Sequence, residues 1–204
     1  QFYRSKEIEK KAKKILAEQA KDPQFKSREQ LMQQVYALAQ QKQWQAAKQL
    51  LSTADLLTQE AATMLLSVAI NLSADKDILR WLLSEGAQLL PNTIMNVVVI
   101  GDVERAEFLL EYGMDLHYID PLNRNALFSA VMMNNVEMLQ WLLNKGVSLQ
   151  PEQSGFDVLD VALSSYAEGK IKLDIVSVII NAGITIEPSH RERVFNMVPE
   201  HLSR

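Results

Sequence analysis

Residues 120–149, DPLNRNALFSAVMMNNVEMLQWLLNKGVSL, decide the fold. The stretch opens on a turn and runs into an apolar segment, NALFSAVMM. It breaks at Asn134-Asn135, runs into a second apolar segment, VEMLQWLLNK, and stops at Gly146. Apolar residues recurring every three or four positions predict a helix for each segment. The glycine marks where the second helix ends in a left-handed conformation. Neither helix can hide its apolar side alone. The same pattern recurs at a fixed distance, the mark of stacked repeats. Thirty-three residues back from Gly146 stands Gly113, from Leu142-Leu143 stands Leu109-Leu110, and from Asn134 stands Gly101. The offset also takes Leu127 to Ile94 and Ala130 to Val97. One unit earlier, DILRWLLSEGAQL from Asp77 mirrors EMLQWLLNKGVSL from Glu137, with the glycine spacing shortened to 27. Forward, Gly146 to Gly183 is 37, and the additional residues around Tyr166–Lys170 are read as a longer join between the two helices. Upstream, AAKQLLSTADLL from Ala46 echoes the second helix with Ala54 in the glycine's place.

Asn125-Ala126-Leu127-Phe128 stands where ankyrin repeats carry T-P-L-H, followed by Ala130 at the small-residue position. Trp141-Leu142-Leu143 and Gly146 close the unit like the LLxxGA ending. The chain therefore resembles the ankyrin repeat family over residues 27–187, with about five units in register. The resemblance implies an all-α, helix-turn-helix solenoid of units 27–57, 58–90, 91–117, 118–150 and 151–187. Threonine and proline of T-P-L-H are mostly replaced, and only Gly155 keeps the glycine of the first turn, so the hairpins are expected to be short or irregular.

Around this domain, residues 1–24 are read as a basic helix. Ser5–Ala20 places Ile8, Ala12, Ile15 and Leu16 on one face, and Asp22-Pro23 ends it. Ser27-Arg28-Glu29-Gln30 is a capping-box pattern, with Leu31, Val35, Leu38 and Ala39 on the buried side of the helix it opens. Trp44–Leu51 supplies the antiparallel partner, and the glutamines beside it suit a terminal repeat that is wet on one side. Asp75 is expected to cap a second helix. The pairs Leu82-Leu83, Leu109-Leu110, Leu142-Leu143 and Ile179-Ile180 are expected to face inward. Residues 188–204 read as a capping helix, with Ser189 as its cap and Val194, Phe195 and Val198 closing over the last repeat.

With 204 residues and 48% apolar content, the chain can bury a core. No run approaches the ~18–20 apolar residues of a membrane span. There is no cysteine, which excludes disulfides and thiolate metal sites. Residues 1–14 carry six basic side chains against two acidic ones, a net of +4; the whole chain is −4, so the rest carries −8. An acidic solenoid is a poor binder of nucleic acid, whose phosphates attract cations. Basic residues 1–14 read as a solvated helix face, or alternatively as a juxtamembrane stretch. The chain opens on Gln1 rather than Met, and a segment before it, a signal peptide or an anchor, is expected to have been removed. The repeats suit a cytoplasmic setting, with an anchored or exported protein as the alternative.

No catalytic constellation is present, and no cofactor or metal is expected. Asp115, His117 and Asp120 lie in an inter-repeat loop and read as turn formers. Asp157 and Asp160 flank Val158-Leu159, and Asp157 takes the threonine position of T-P-L-H, a capping role. His117, His190 and His201 make no helical metal pair.

The resemblance implies a non-enzymatic, monomeric module that binds another protein through turn tips and the concave face of the first helices. Residue by residue, the tips are Pro121, Leu122, Arg124, Gln153, Ser154 and Phe156. The inner-face positions before the inter-helix turns are Leu72-Ser73, Val99-Ile100, Met132-Met133 and Ser164-Ser165, with Tyr166 beside them. The partner-binding residues are thus Val99, Ile100, Leu122, Arg124, Met132, Met133, Phe156 and Tyr166, with Arg124 and Phe156 the stronger anchors. An apolar strip of Val99, Ile100, Met132 and Met133 marks a groove. Its alternative is packing sideways on neighbouring repeats or under the N-terminal helix. A dedicated neutralising partner of one toxin or enzyme, and a membrane-tethered scaffold, are the alternative functions.

Overall fold

The computed structural model describes residues 27–149 and 157–197, together with 10, 13–15, 17, 18 and 21. The expectations for most of 1–24, for Gln153, Ser154 and Phe156, and for Val198 lie outside the described residues. The chain forms two compact units, Gln1–Gln88 and Leu89–Arg204. The described residues are helical without strands. No helix among them is long and apolar enough to cross a membrane.

The first unit contains α1 (Arg28–Gln40), α2 (Trp44–Thr53), α3 (Gln59–Asn71) and α4 (Lys76–Ser84). Ser27 closes the expected capping box on α1: its hydroxyl accepts from the Gln30 N–H, and the Gln30 side chain accepts from the Ser27 N–H. Thr58 caps α3 through the Ala61 N–H. Asp75 occupies the corresponding position before α4, but its side chain makes no capping bond, contrary to expectation. α1 packs on α2 and α3 on α4, and α1 lies beside α3. The Tyr36 hydroxyl donates to Met64 Sδ at 3.3 Å between α1 and α3, and burial pushes the Tyr36 phenol up from its ordinary range.

The second unit contains α5 (Thr93–Ile100), α6 (Val103–Glu111), α7 (Ala126–Met132), α8 (Val136–Asn144), α9 (Val158–Ala167), α10 (Leu173–Asn181) and α11 (Pro188–Met197). α5 pairs with α6, α7 with α8 and α9 with α10. The first helices α5, α7 and α9 stack side by side, as do the second helices α6, α8 and α10, and α11 lies on α9. Two rows result, and each pair leans on the next. Among the second helices, Leu82, Leu109, Leu142 and Ile179 are fully buried, each contributing roughly 1.5–3 kcal/mol. Their neighbours Leu83, Leu110 and Leu143 are half-buried and Ile180 is exposed, so only the first of each pair faces inward. Consecutive helical residues point about 100° apart, and one core cannot take both.

Both helices of each repeat end on a left-handed residue. The second helices stop at Asp55, Gly86, Gly113, Gly146 and Gly183, with φ of 50°, 91°, 88°, 84° and 92°. The upstream stop is therefore Asp55, one residue beyond the Ala54 inferred by alignment. The first helices stop at Lys42, Ser73, Gly101, Asn134 and Gly169, with φ from 52° to 79°. After the stop the chain folds back, and the next N–H caps a carbonyl five residues earlier: Leu56 to Leu51, Ala87 to Leu82, Met114 to Leu109, Val147 to Leu142. This closure satisfies helix-end carbonyls that would otherwise be orphaned.

Two further expectations are amended. The additional residues of the last repeat lengthen the join as expected, 168–172 against 133–135, but also α9 itself, ten residues against seven for α7. In α11, Ser189 lies inside the helix; Pro188 takes its first position, where a missing N–H costs nothing. The side of α11 on α9 is polar. His190 is buried and Arg193 meets Asp160 and Ser164, while Val194 and Phe195 are exposed. α9 opens on Asp157 and the buried Asp160, and that acidic end demands donors rather than apolar cover.

Candidate partner-binding surface

The first-helix row of the second unit carries one set of the exposed apolar residues. Val99 on α5, Met132 at the end of α7, Met133 at its cap and Tyr166 on α9 are 53%, 61%, 48% and 38% exposed. Ile100 is half-buried beside Val99. Each follows from helix register. Val97, Val98, Ala130, Val131, Ala162 and Leu163 fill the core, and the residues just before the stop are turned outward. Since α5, α7 and α9 are adjacent, Val99, Ile100, Met132 and Met133 lie at neighbouring helix ends, and Tyr166 is exposed near the end of α9, out of register with them. Leu72 and Ser73 belong to the first unit, Leu72 half-buried and Ser73 exposed. Ser164 and Ser165 are half-buried, and Ser164 accepts a hydrogen bond from Arg193.

Leu122 and Arg124 stand apart, at the opposite end of α7, about 10 Å along a seven-residue helix. Leu122 is exposed at the tip of a turn built by Asp120. Asp120 Oδ1 accepts the N–H groups of Leu122 and Arg124, both at 2.9 Å, and its Oδ2 accepts from Arg124 Nε at 2.9 Å. Burial opposes ionisation of Asp120, but these hydrogen bonds and the guanidinium charge outweigh it and hold the carboxyl below its ordinary range. The Arg124 side chain is thus committed to its own turn. Asp115 likewise accepts from the His117 N–H, as expected of a turn former.

Sequence reading missed the bonds that join one repeat to the next. Trp141 Nε1 donates to Glu107 at 2.6 Å across 34 positions, and Lys145 Nζ reaches the other Glu107 oxygen at 2.7 Å. The Lys145 bond first, then that from Trp141, hold Glu107 below the ordinary carboxylate range. Asn135 caps α8 through the Met138 N–H and approaches the Gly101 carbonyl, again across 34 positions. Asn134 accepts the Lys172 N–H across 38. Pairs one repeat apart were the available signal.

A polar cluster gathers Asp157, Asp160 and His190, whose ligand-type atoms lie within 4.8 Å of one another. Asp157 and Asp160 form a capping box on α9. His190 Nδ1 accepts the Glu187 N–H at 2.9 Å, so the neutral ring carries its proton on Nε2 and donates it to Asp157 Oδ1 at 3.0 Å. Arg193 Nε lies 3.2 Å from Asp160. A metal at Nε2 would need the lone pair that this tautomer lacks. The cluster fastens α11 to α9. Beside it, Ile180, Ile186, Val194 and Phe195 line an apolar hollow of about 340 Å³ with Leu159 and Leu163 at its floor.

Paired helices stacked in two rows, with glycine or short polar stops, define an all-α repeat protein. Residues 94–189 match the family described as ankyrin repeats, in three copies. That stretch, somewhat under half of the chain, carries ankyrin-type repeats. Among solved structures, it is similar to the ankyrin repeat domain of Bcl-3, described as a unique member of the IkappaB protein family. Identity is 25% and the TM-score 0.49, over 59% of this chain and 56% of the other, so the chain spans little more than half of that structure's length. No curated protein matches the chain. Ankyrin repeats are in general protein–protein interaction modules.

Proposed function

We propose that the chain is a non-enzymatic binding module that holds a partner protein on the first-helix row of its second unit. Val99, Ile100, Met132, Met133 and Tyr166 form the main contact, and Leu122 and Phe156 contribute from the turn tips. One observation carries this reading: Val99 and Met132 stand exposed at matching positions of two successive repeats, two residues before the left-handed stop, and Tyr166 is exposed three residues before the stop of the next. Methionine suits such a surface because its unbranched thioether adapts to a partner's shape. Arg124, held by Asp120 with 43% of its side chain exposed, contributes beside Leu122.

The test is capture of interacting proteins by the wild type and by a Val99→Glu, Met132→Glu double variant. Both side chains are exposed, so the melting temperature should stay within a few degrees of wild type. Loss of the captured partner with folding intact is the expected result. Undiminished capture by the folded variant would refute the surface.

A further inference from the structure

We infer that the partner segment is cationic: apolar on the side that meets the strip and bearing lysine or arginine along its flank. This rests on the binding surface proposed above and adds the chemistry of what it holds. The second unit, residues 89–204, contains fifteen Asp and Glu against eight Lys and Arg, a net of −7. Near the strip the imbalance persists. Glu104 opens α6 four residues beyond Ile100, and Glu137 opens α8 four residues beyond Met133; both are exposed. The cations at this end are compromised. Arg105 is buried and lies against Asp102, and Lys170 pairs with Glu168. Lys172 stands exposed just before α10, while the exposed Glu104 and Glu137 lie beside α5 and α7. An apolar groove rimmed this way attracts an amphipathic basic segment and repels an acidic one of equal hydrophobicity.

The experiment uses the full chain labelled at its methionine methyl groups and three synthetic peptides. One alternates leucine and lysine at helical spacing, one replaces every lysine by glutamate, and one is residues 1–21 of this chain. The leucine–lysine peptide should shift the Met132 and Met133 methyl signals while leaving those of the buried Met114 and Met138 in place. Its affinity should fall about tenfold or more in a Glu104→Lys, Glu137→Lys double variant and weaken with added salt. Equal binding of the leucine–glutamate peptide, or no effect of the double variant, would overturn the cationic partner and leave the surface standing. Met132 and Met133 signals unmoved by all three peptides would overturn both readings. Binding confined to the 1–21 peptide would give the surface to a second copy of this chain and overturn the inference.

Discussion

Replacing Gly101 by alanine should cost more than replacing Gly146, although both glycines end a helix with similar φ, 79° and 84°. At Gly146 an added Cβ meets nothing within 4 Å, so the penalty is the left-handed backbone alone, about 1–2 kcal/mol. At Gly101 the same Cβ would lie 2.8 Å from Asn135 Nδ2, closer than real Cβ atoms come to a neighbour. Asn135 must then move, and it caps α8 through the Met138 N–H at 2.9 Å. Losing such a cap costs typically about 1 kcal/mol. Gly101→Ala should therefore destabilise by about 2–3 kcal/mol. The Asn135→Ser variant keeps a capping oxygen and removes the colliding nitrogen, so in that background the cost of Gly101→Ala should fall to the Gly146→Ala value. Urea unfolding of the four variants followed by circular dichroism measures the coupling. Additive costs across the Gly101/Asn135 cycle, or equal costs for the two glycines in the wild type, would refute the close approach.

Lys42→Gly and Ser73→Gly should each stabilise by about 0.5 kcal/mol, since their φ of 60° and 52° suits glycine while the flexible unfolded chain offsets part of the gain. Asn134→Gly should instead destabilise in the same unfolding assay, because the Asn134 side chain holds the Lys172 N–H. His190→Ala should cost about 2–3 kcal/mol by stranding the Glu187 N–H and Asp157. Val194→Ala, on the exposed side of the same helix, should stay within about 0.5 kcal/mol. Asp120 has a folded-state pKa below its unfolded value, so its contribution is complete above the ordinary carboxylate pKa of about 3.9 and is lost as pH falls through the folded value. Stability measured from pH 5 downward should therefore decline less steeply in Asp120→Asn than in the wild type. An unchanged slope would show that the Asp120 turn does not titrate with folding.

The repeat was legible in the sequence because three physical signals coincide in most units: apolar spacing, a capping residue and a glycine stop. Gly86, Gly113, Gly146 and Gly183 could be placed at helix ends before any coordinates, because only glycine takes φ near 90° without strain. The stops of the first helices were partly hidden. Lys42, Ser73 and Asn134 adopt the same left-handed turn without a glycine to announce it, and the packing of the whole repeat over-determines their backbone. Asp55 escaped for the same reason, one position from where alignment put it. Least legible was α11. Its polar side is the buried one, which becomes intelligible only when Asp157 and Asp160 are known to lie beneath it.

The exposed row depends on register rather than on composition. Each first helix is fixed at its start by a side-chain cap or turn and at its end by a left-handed residue, so the number of residues between them sets which side chains face outward. α9 is three residues longer than α7, and three residues rotate a helix by about 300°. That leaves its last turn only about 60° out of step with α7. The residue that comes into step with Met132 at the end of α9 is therefore Ala167, which is exposed, and the exposed Tyr166 stands one position before it. An insertion of one or two residues would have turned that position by about 100° or 200° and set a different face toward solvent. The length change in the last repeat thus keeps the end of α9 turned outward, with the small Ala167 in the place of Met132 and the Tyr166 ring beside it rather than in step with it.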